Sequence, residues 1–285
     1  LFGIIISSIF AFLLNFFVSL NKFVNDFLFI LPFIIVVFNS HLLSNLDYKK
    51  TLKLCLIVAI ISTLVISYDN VYRPDAGSYH LPFIGILNDN KIIIGLSNLH
   101  FRFGHISIFQ YLSASFNNHL FFENGILIPG ALIFTFMVLY LLTNIFEEEN
   151  NFIILISFIF LIFIIFRMNR YSSLGNDGPA HFYFMYLMIM ALNYEKYIGN
   201  YNNFLNKVSL IGIFIFFNKI TMLLGLLVPS FFIFKKQFLK IYKSKTFLLL
   251  ILIFLSWIGK NILTSGCAAF PLEQTCFKNL QWFDK

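Results

Sequence analysis

Charge is what this sequence has least of. Only 12% of its 285 residues are Asp, Glu, Lys or Arg. Soluble domains carry about 25%, so a soluble globular domain is excluded. No Pro- or Gly-rich linker and no internal repeat divides the chain. The apolar runs lack the two-residue alternation of a membrane barrel. Leu1–Leu20 has no basic leader and no small-residue cleavage site, so it reads as a membrane helix and not as a signal peptide. No H-x-x-H or H-x-x-x-H pair occurs among His80, His100, His105 and His181, which argues against metal-hydrolase chemistry and a metal site.

What the chain has in quantity is apolar surface. It is 59% hydrophobic, with 40 Phe, and its mean hydropathy is +0.83. The reading is an all-α, polytopic helical membrane protein with about eight or nine transmembrane or re-entrant helices. Helices are expected at about 1–20, 27–43, 51–67, 124–143, 152–166, 179–193, 208–234 and 246–262. The net charge of +7 comes from Lys and Arg scattered among the loops. Membrane topology accounts for them, and no nucleic-acid partner is implied. The chain opens on Leu1 and stops in polar sequence, Glu273–Lys285, which suggests a fragment.

Lys and Arg also set orientation. Lys235, Lys236, Lys240, Lys243 and Lys245 form the densest cluster and are expected inside, as are Lys49 and Lys50. That places 68–98 and the Cys267–Cys276 loop outside. An outside loop permits a disulfide between those cysteines, whereas an inside one would keep them as thiols. Cys55, in an apolar run, reads as packing. Two arrangements satisfy the parity between the anchors. In one, 103–116 is an interfacial helix and 208–234 a short re-entrant hairpin, with Asp75 and Asp177 on the same outer face. In the other both are single spans, and Asp177 lies inside. The first is preferred. Ile108, Leu112 and Phe116 recur on one side while Ser107, Gln110 and Ser113 lie on the other, as in a helix lying along the interface. Asn218-Lys219 also interrupts 208–234, and a lone Lys at mid-bilayer costs roughly 2.5–3.5 kcal/mol. Against it, Glu147, Glu148 and Glu149 then lie inside and Arg167 and Arg170 outside.

Four polar groups stand out from the apolar background. The first is Asp69, Asp75, Tyr79 and His80. A partly desolvated carboxylate at Asp75 could act as a base toward a hydroxyl. It could equally cap the helix that begins after Pro74. The second is Leu99–His105, where Arg102 stands between His100 and His105. Its cations suit phosphate, whether of a substrate or of lipid headgroups. The third is Arg167, Arg170, Asn176, Asp177 and His181, with Asp177 inside a turn that precedes a helix start. The fourth is Lys219, with Lys260 and Asn261. Lys260 could snorkel to the interface, while Lys219 is too far from an end to do so easily.

The order of these parts resembles the GT-C class of membrane glycosyltransferases, which use polyprenyl-phosphate-linked sugars. Asp75-Ala76-Gly77-Ser78-Tyr79-His80 resembles the early acidic motif of that class's first external loop. Gly104–Phe116 resembles its second interfacial helix, and Asn124–Leu142 the following span. Asn176-Asp177-Gly178-Pro179-Ala180-His181-Phe182 resembles the second-loop acid. Gly212–Leu227 around Lys219 resembles the later Gly-rich stretch. Lys260-Asn261, through Gly266 and Pro271, resembles the basic-Asn pair of the class. The likeness covers roughly residues 51–275. It implies extra helices at 1–43, a core at 44–262 with external loops at 68–123 and 167–181, and an outer segment from 263.

The resemblance implies transfer of a sugar from a polyprenyl phosphate to an acceptor hydroxyl on a glycan, lipid or protein, at the outer face of a bacterial cytoplasmic membrane. Asp75 would be the base, and Asp177 would orient the acceptor or a cation. Arg102, Arg170 and Lys219 would hold phosphate. Tyr79, His80, His105, Asn176, His181 and Lys260 would complete the substrate site. Asp75 has no acid beside it and the second loop lacks an Asp-x-Asp pair, so a divalent cation is not required. The rival readings are a lipid-linked glycan transporter or flippase, an O-antigen-type polymerase and a non-catalytic membrane subunit. A transporter predicts inverted repeats, which are absent from the sequence.

Overall fold

Apolar runs in lipid must satisfy their backbone groups internally, and a helix does so within one segment. The computed structural model describes residues 1–39, 47–68, 74–172, 174–235 and 245–283; their regular elements are helices, with no β-strand among them. The helices are α1 Phe2–Leu14, α2 Lys22–Phe38, α3 Tyr48–Tyr68, α4 Leu81–Asp89, α5 Ile108–Ser115 and α6 Ile128–Glu147. They continue as α7 Asn151–Phe166, the single turn α8 Met168–Tyr171, α9 Asp177–Leu192, α10 Tyr201–Asn218, α11 Leu224–Lys235 and α12 Lys245–Ser265.

Among the described residues three helical runs are long and apolar enough to cross a membrane: Lys49–Tyr68, Phe122–Glu147 and Phe247–Ser265. The others are cut short by polar residues. Asn21 caps α2 by accepting from the Val24 N–H, so that helix starts at Lys22 and not at 27. The 208–234 run breaks at Asn218-Lys219, as its sequence suggests. These long helices keep exposed apolar faces, including Leu52, Leu56, Ile60 and Leu64 on α3 and Leu248, Leu252 and Leu255 on α12. Cys55 is exposed on α3 and does not pack, contrary to its reading from sequence.

The chain divides into two compact units. The first comprises Leu1–Lys91, Gln110–Val138 and Met168–Gly175. Its core joins Phe12 of α1, Phe83 of α4 and Tyr111 of α5, with Tyr111 edge-on to Phe12 at 5.3 Å and to Phe83 at 6.2 Å. Amide side chains tie the helix ends. Asn25 donates to the carbonyls of Leu20 (2.7 Å) and Ala114 (2.9 Å), and Asn88 reaches the same two carbonyls. The Ala114 bonds satisfy a carbonyl that the short α5 leaves open at its C-terminus, and the Leu20 bonds fix the loop before α2. Ser62 and Thr135 join α3 to α6 through a buried 3.0 Å hydroxyl contact.

The second unit comprises Ile92–Phe109, Leu139–Arg167 and Asn176–Lys285. Here α10 and α11 fold back on each other as an antiparallel hairpin. Tyr201 donates its hydroxyl to the Phe232 carbonyl at 2.7 Å, and Phe204 meets Phe232 edge-on at 5.0 Å. Closer to the turn, Gly212 lies so near α11 that a Cβ there would stand 2.7 Å from the Gly225 carbonyl. Small residues are what allow two helix backbones to approach this closely. Lys219 occupies the turn. α9 packs against α10 through Tyr183 and Phe214, 4.6 Å apart. Trp257 of α12 stacks on Phe217 at 5.0 Å.

Candidate functional site

In the second unit, residues from three separate stretches meet at the hairpin turn. Asn218 ends α10, and Lys219 leaves the helix in an extended conformation (φ −152°, ψ 101°). Its ammonium bonds the Asp177 carboxylate at the start of α9. Both side chains keep partial access to solvent, 26% for Lys219 and 33% for Asp177. Partial access leaves the pair open to exchange with a solution anion, which a fully buried pair would resist.

Asn218 is the fastener of this turn, a role the sequence did not disclose. It is fully buried. Its Oδ1 accepts from the Ser107 hydroxyl and from the Phe109 N–H, both at 2.8 Å, and its Nδ2 donates to the Phe214 carbonyl at 2.7 Å. His105 Nε2 lies 3.3 Å from the Asn218 carbonyl oxygen. The 105–109 segment is thereby held against the C-terminus of α10. Removal from water lowers the pKa of the half-buried His105, the bond to Asn218 opposes this, and the nearby charges of Arg102 and Lys219 push the same way as burial. His105 is therefore neutral and can donate to that carbonyl. The exposed Arg102 stands three residues earlier, in the Phe101–Gly104 turn.

Asn176 and His181 flank Asp177. Asn176 is buried, makes no side-chain cap bond and leaves its Oδ1 without a partner. The acid begins a helix as its turn sequence predicts, but its carboxylate is engaged across to Lys219. Lys260 is fully buried along α12 and does not snorkel, and Asn261 beside it is equally buried.

The first unit holds the remaining predicted residues. Asp75 is exposed at the start of a single π-helical turn, Ala76–His80, and its side chain makes no capping bond. The capping alternative is thereby removed. One-turn π segments are frequent at functional sites. His80 is buried, with Nδ1 2.8 Å from the Gln110 amide nitrogen. The other ring nitrogen, Nε2, faces Gly175. Tyr79 packs its ring 4.3 Å from that of His80. Arg170 is exposed in α8, next to Asn169, which accepts from the Tyr68 hydroxyl at 2.7 Å. Asp69, Lys236, Lys240 and Lys243 lie outside the described residues.

The expected two-faced helix at 103–116 takes a different form. A 3-10 turn, Phe101–Gly104, precedes α5, and Ile108 through Ser115 are all buried, polar and apolar positions alike. The polar side carries internal bonds instead of facing water: Ser107 binds Asn218 and Gln110 binds His80. Cys267 and Cys276 form a disulfide.

At the opposite end of the second unit, Glu148 in the α6–α7 loop pairs with Lys196 at 2.5 and 2.7 Å and accepts from Asn193 at 3.2 Å. The Lys196 bond holds the Glu148 carboxyl below its usual range.

Neither a curated protein nor a solved structure matches the chain. The family model described as a domain of unknown function, DUF8201, matches residues 1–283. The chain therefore belongs to the DUF8201 family.

Proposed function

We propose that this protein is a membrane glycosyltransferase of the GT-C type, moving a sugar from a polyprenyl phosphate to an acceptor hydroxyl outside the cytoplasmic membrane. The observation that carries the reading is the Asp177–Lys219 pair. Two of the stretches that resemble GT-C motifs meet there, and the Lys219 charge also reaches His105 in a third, the stretch around Arg102. The remaining apolar helices cross or enter the membrane alongside the three long ones, with the α10–α11 hairpin re-entering from the outer side.

The chemistry needs a base for the acceptor and positive charge for the departing phosphate. The resemblance gives Asp75 the role of base: the hydroxyl proton goes to a carboxylate, the acceptor oxygen attacks the anomeric carbon, and the C–O bond to phosphate breaks with inversion. The phosphate leaves with the bonding electrons. Within the second unit, Lys219 and Arg102 stabilise that charge. Asp177 holds the Lys219 ammonium in place until phosphate shares it.

Orientation follows the same two ends. Lys196, Lys207 and Lys235 lie toward the α9–α10 and α11 ends away from Lys219, which the positive-inside rule assigns to the cytoplasm. The Glu148–Lys196 pair offsets the acids of the α6–α7 loop, which otherwise weigh against that assignment.

The test uses the full chain in proteoliposomes with a short-chain polyprenyl-phosphate hexose. Lys219→Ala is expected to weaken donor binding by about 10-fold or more. Asp75→Asn keeps donor binding and loses about 10²–10⁴-fold in transfer. Full transfer by a normally folded Asp75→Asn protein refutes the base.

A further inference from the structure

The second unit contains a cavity of about 570 Å³ that no step above uses. Its walls come from two stretches of chain far apart in sequence. Ser97, Asn98 and Phe101 stand on one side, and the disulfide-closed segment with Phe270, Glu273 and Lys278 on the other. Phe101 and Phe270 meet with ring centroids 4.8 Å apart and planes tilted by 57°. Gly104 makes this possible, since a Cβ there would lie 3.0 Å from the Phe270 ring. The cavity is also fastened on its outer side. Asn98 donates to the Trp282 carbonyl at 3.0 Å, and the Trp282 indole donates to the Ile262 carbonyl at 2.9 Å.

The lining is neither lipid-like nor simply ionic. Aromatic rings stand next to hydroxyl, amide, carboxylate and ammonium groups. An acyl chain has no use for Asn98, Glu273 or Lys278, because burying such groups against hydrocarbon costs free energy. A phosphate would be repelled by Glu273. A saccharide matches both halves of the wall. Its C–H faces carry slight positive charge and settle on the negative face of an aromatic ring. Its hydroxyls both donate and accept, as the amide, carboxylate and ammonium require.

Position adds to the argument. The four residues after Phe101 lead directly to His105, which is bound to the turn that holds Lys219. A sugar chain in the cavity therefore lies a few residues of backbone from the proposed phosphate site.

We infer that this cavity binds a saccharide, and that the acceptor of the transfer reaction is a glycan. The inference rests on the transferase reading for the word acceptor, but the binding itself does not. Glu273 and Lys278 fix the hydroxyl pattern, Phe101 and Phe270 supply the stacking faces, and the disulfide holds the outer wall.

The experiment is saturation-transfer NMR on the full chain in nanodiscs, with soluble hexose tri- and tetrasaccharides as probes and a short alkyl phosphate as competitor. Wild type is expected to transfer saturation to the ring C–H protons of the saccharide. Phe101→Ala and Glu273→Gln each weaken that binding by about 10-fold. Both residues are exposed, so the variants keep the fold, and Lys196→Ala serves as a control with wild-type binding. Absence of saccharide binding by wild type, equal binding by both cavity variants, or displacement of the saccharide by alkyl phosphate overturns the inference. Phe101-dependent saccharide binding without any sugar transfer upholds the cavity and sinks the transferase. Transfer with saccharide binding insensitive to both variants does the reverse.

Discussion

The second unit carries two lysine–carboxylate pairs at opposite ends, Asp177–Lys219 and Glu148–Lys196, and they differ in everything except charge. Lys196 is 56% exposed, and its partner Glu148, 8% exposed in an interhelical loop, also accepts from Asn193. Lys219 is 26% exposed, placed by a helix break, and backed by a buried asparagine with every polar group of its side chain bonded. An ion pair becomes a candidate site through the structure that positions it. The Glu148 pair needs no helix break, and its solvated ammonium limits what the pair contributes to stability. The Asp177 pair needs Asn218, Ser107 and His105 in register.

Breaking each pair tests that difference. The largest expected effect is on activity: Lys219→Ala lowers sugar transfer by about 10²–10³-fold, read from the initial rate in proteoliposomes. Lys196→Ala leaves the rate within about 2-fold, since the Lys196 ammonium is largely solvated and lies outside the proposed site. Equal losses in the two variants would erase the distinction.

Next comes Asn218→Ala. It strands the Ser107 hydroxyl and the Phe109 N–H, and each buried orphan costs about 1–3 kcal/mol. The expected result is a loss of roughly 2–4 kcal/mol, seen as a lower unfolding temperature in detergent, with transfer falling alongside. An unchanged unfolding temperature would mean that the fastener carries no load.

A smaller effect belongs to His105. Its folded pKa lies below the ordinary 6.5, so between the two values the unfolded chain binds more protons. Stability from this group is therefore complete above the unfolded pKa and is lost as pH falls toward the folded one. Wild type is expected to lose thermal stability from about pH 7 to 5 more steeply than His105→Gln. Parallel slopes contradict the burial of the ring.

The smallest is Glu148→Gln, which removes the charge but keeps the shape. It lowers stability by less than about 1 kcal/mol, measured by the same unfolding assay. A larger loss would make this end of the unit more than a surface pair.

Much of the helical framework is legible from composition and run length, because lipid leaves apolar backbone few options. The break at Asn218-Lys219 is also legible: two polar residues interrupt an otherwise apolar run. Its consequence is not, because the partner of Lys219 lies 42 residues away in sequence. The four-bond role of Asn218 had no signal beyond its polarity. The amphipathic pattern of 103–116 misled for a related reason. A polar stripe that binds buried partners looks the same in sequence as one that faces water, and only the tertiary neighbours Asn218 and His80 distinguish them. Cys55 and Lys260 show the converse. In lipid an apolar run does not imply packing, and a lysine near a helix end does not imply a route to the interface.

The most direct measurement is sidedness. In intact spheroplasts of a strain expressing the full chain, with Cys55 replaced and the Cys267–Cys276 disulfide kept, single cysteines at 177 and 196 are probed with a membrane-impermeant maleimide. The account predicts that Asp177→Cys reacts from outside and that Lys196→Cys reacts only after permeabilisation. Labelling of position 196 in intact cells, with position 177 protected until lysis, puts the Lys219 centre in the cytoplasm and contradicts sugar transfer at the outer face.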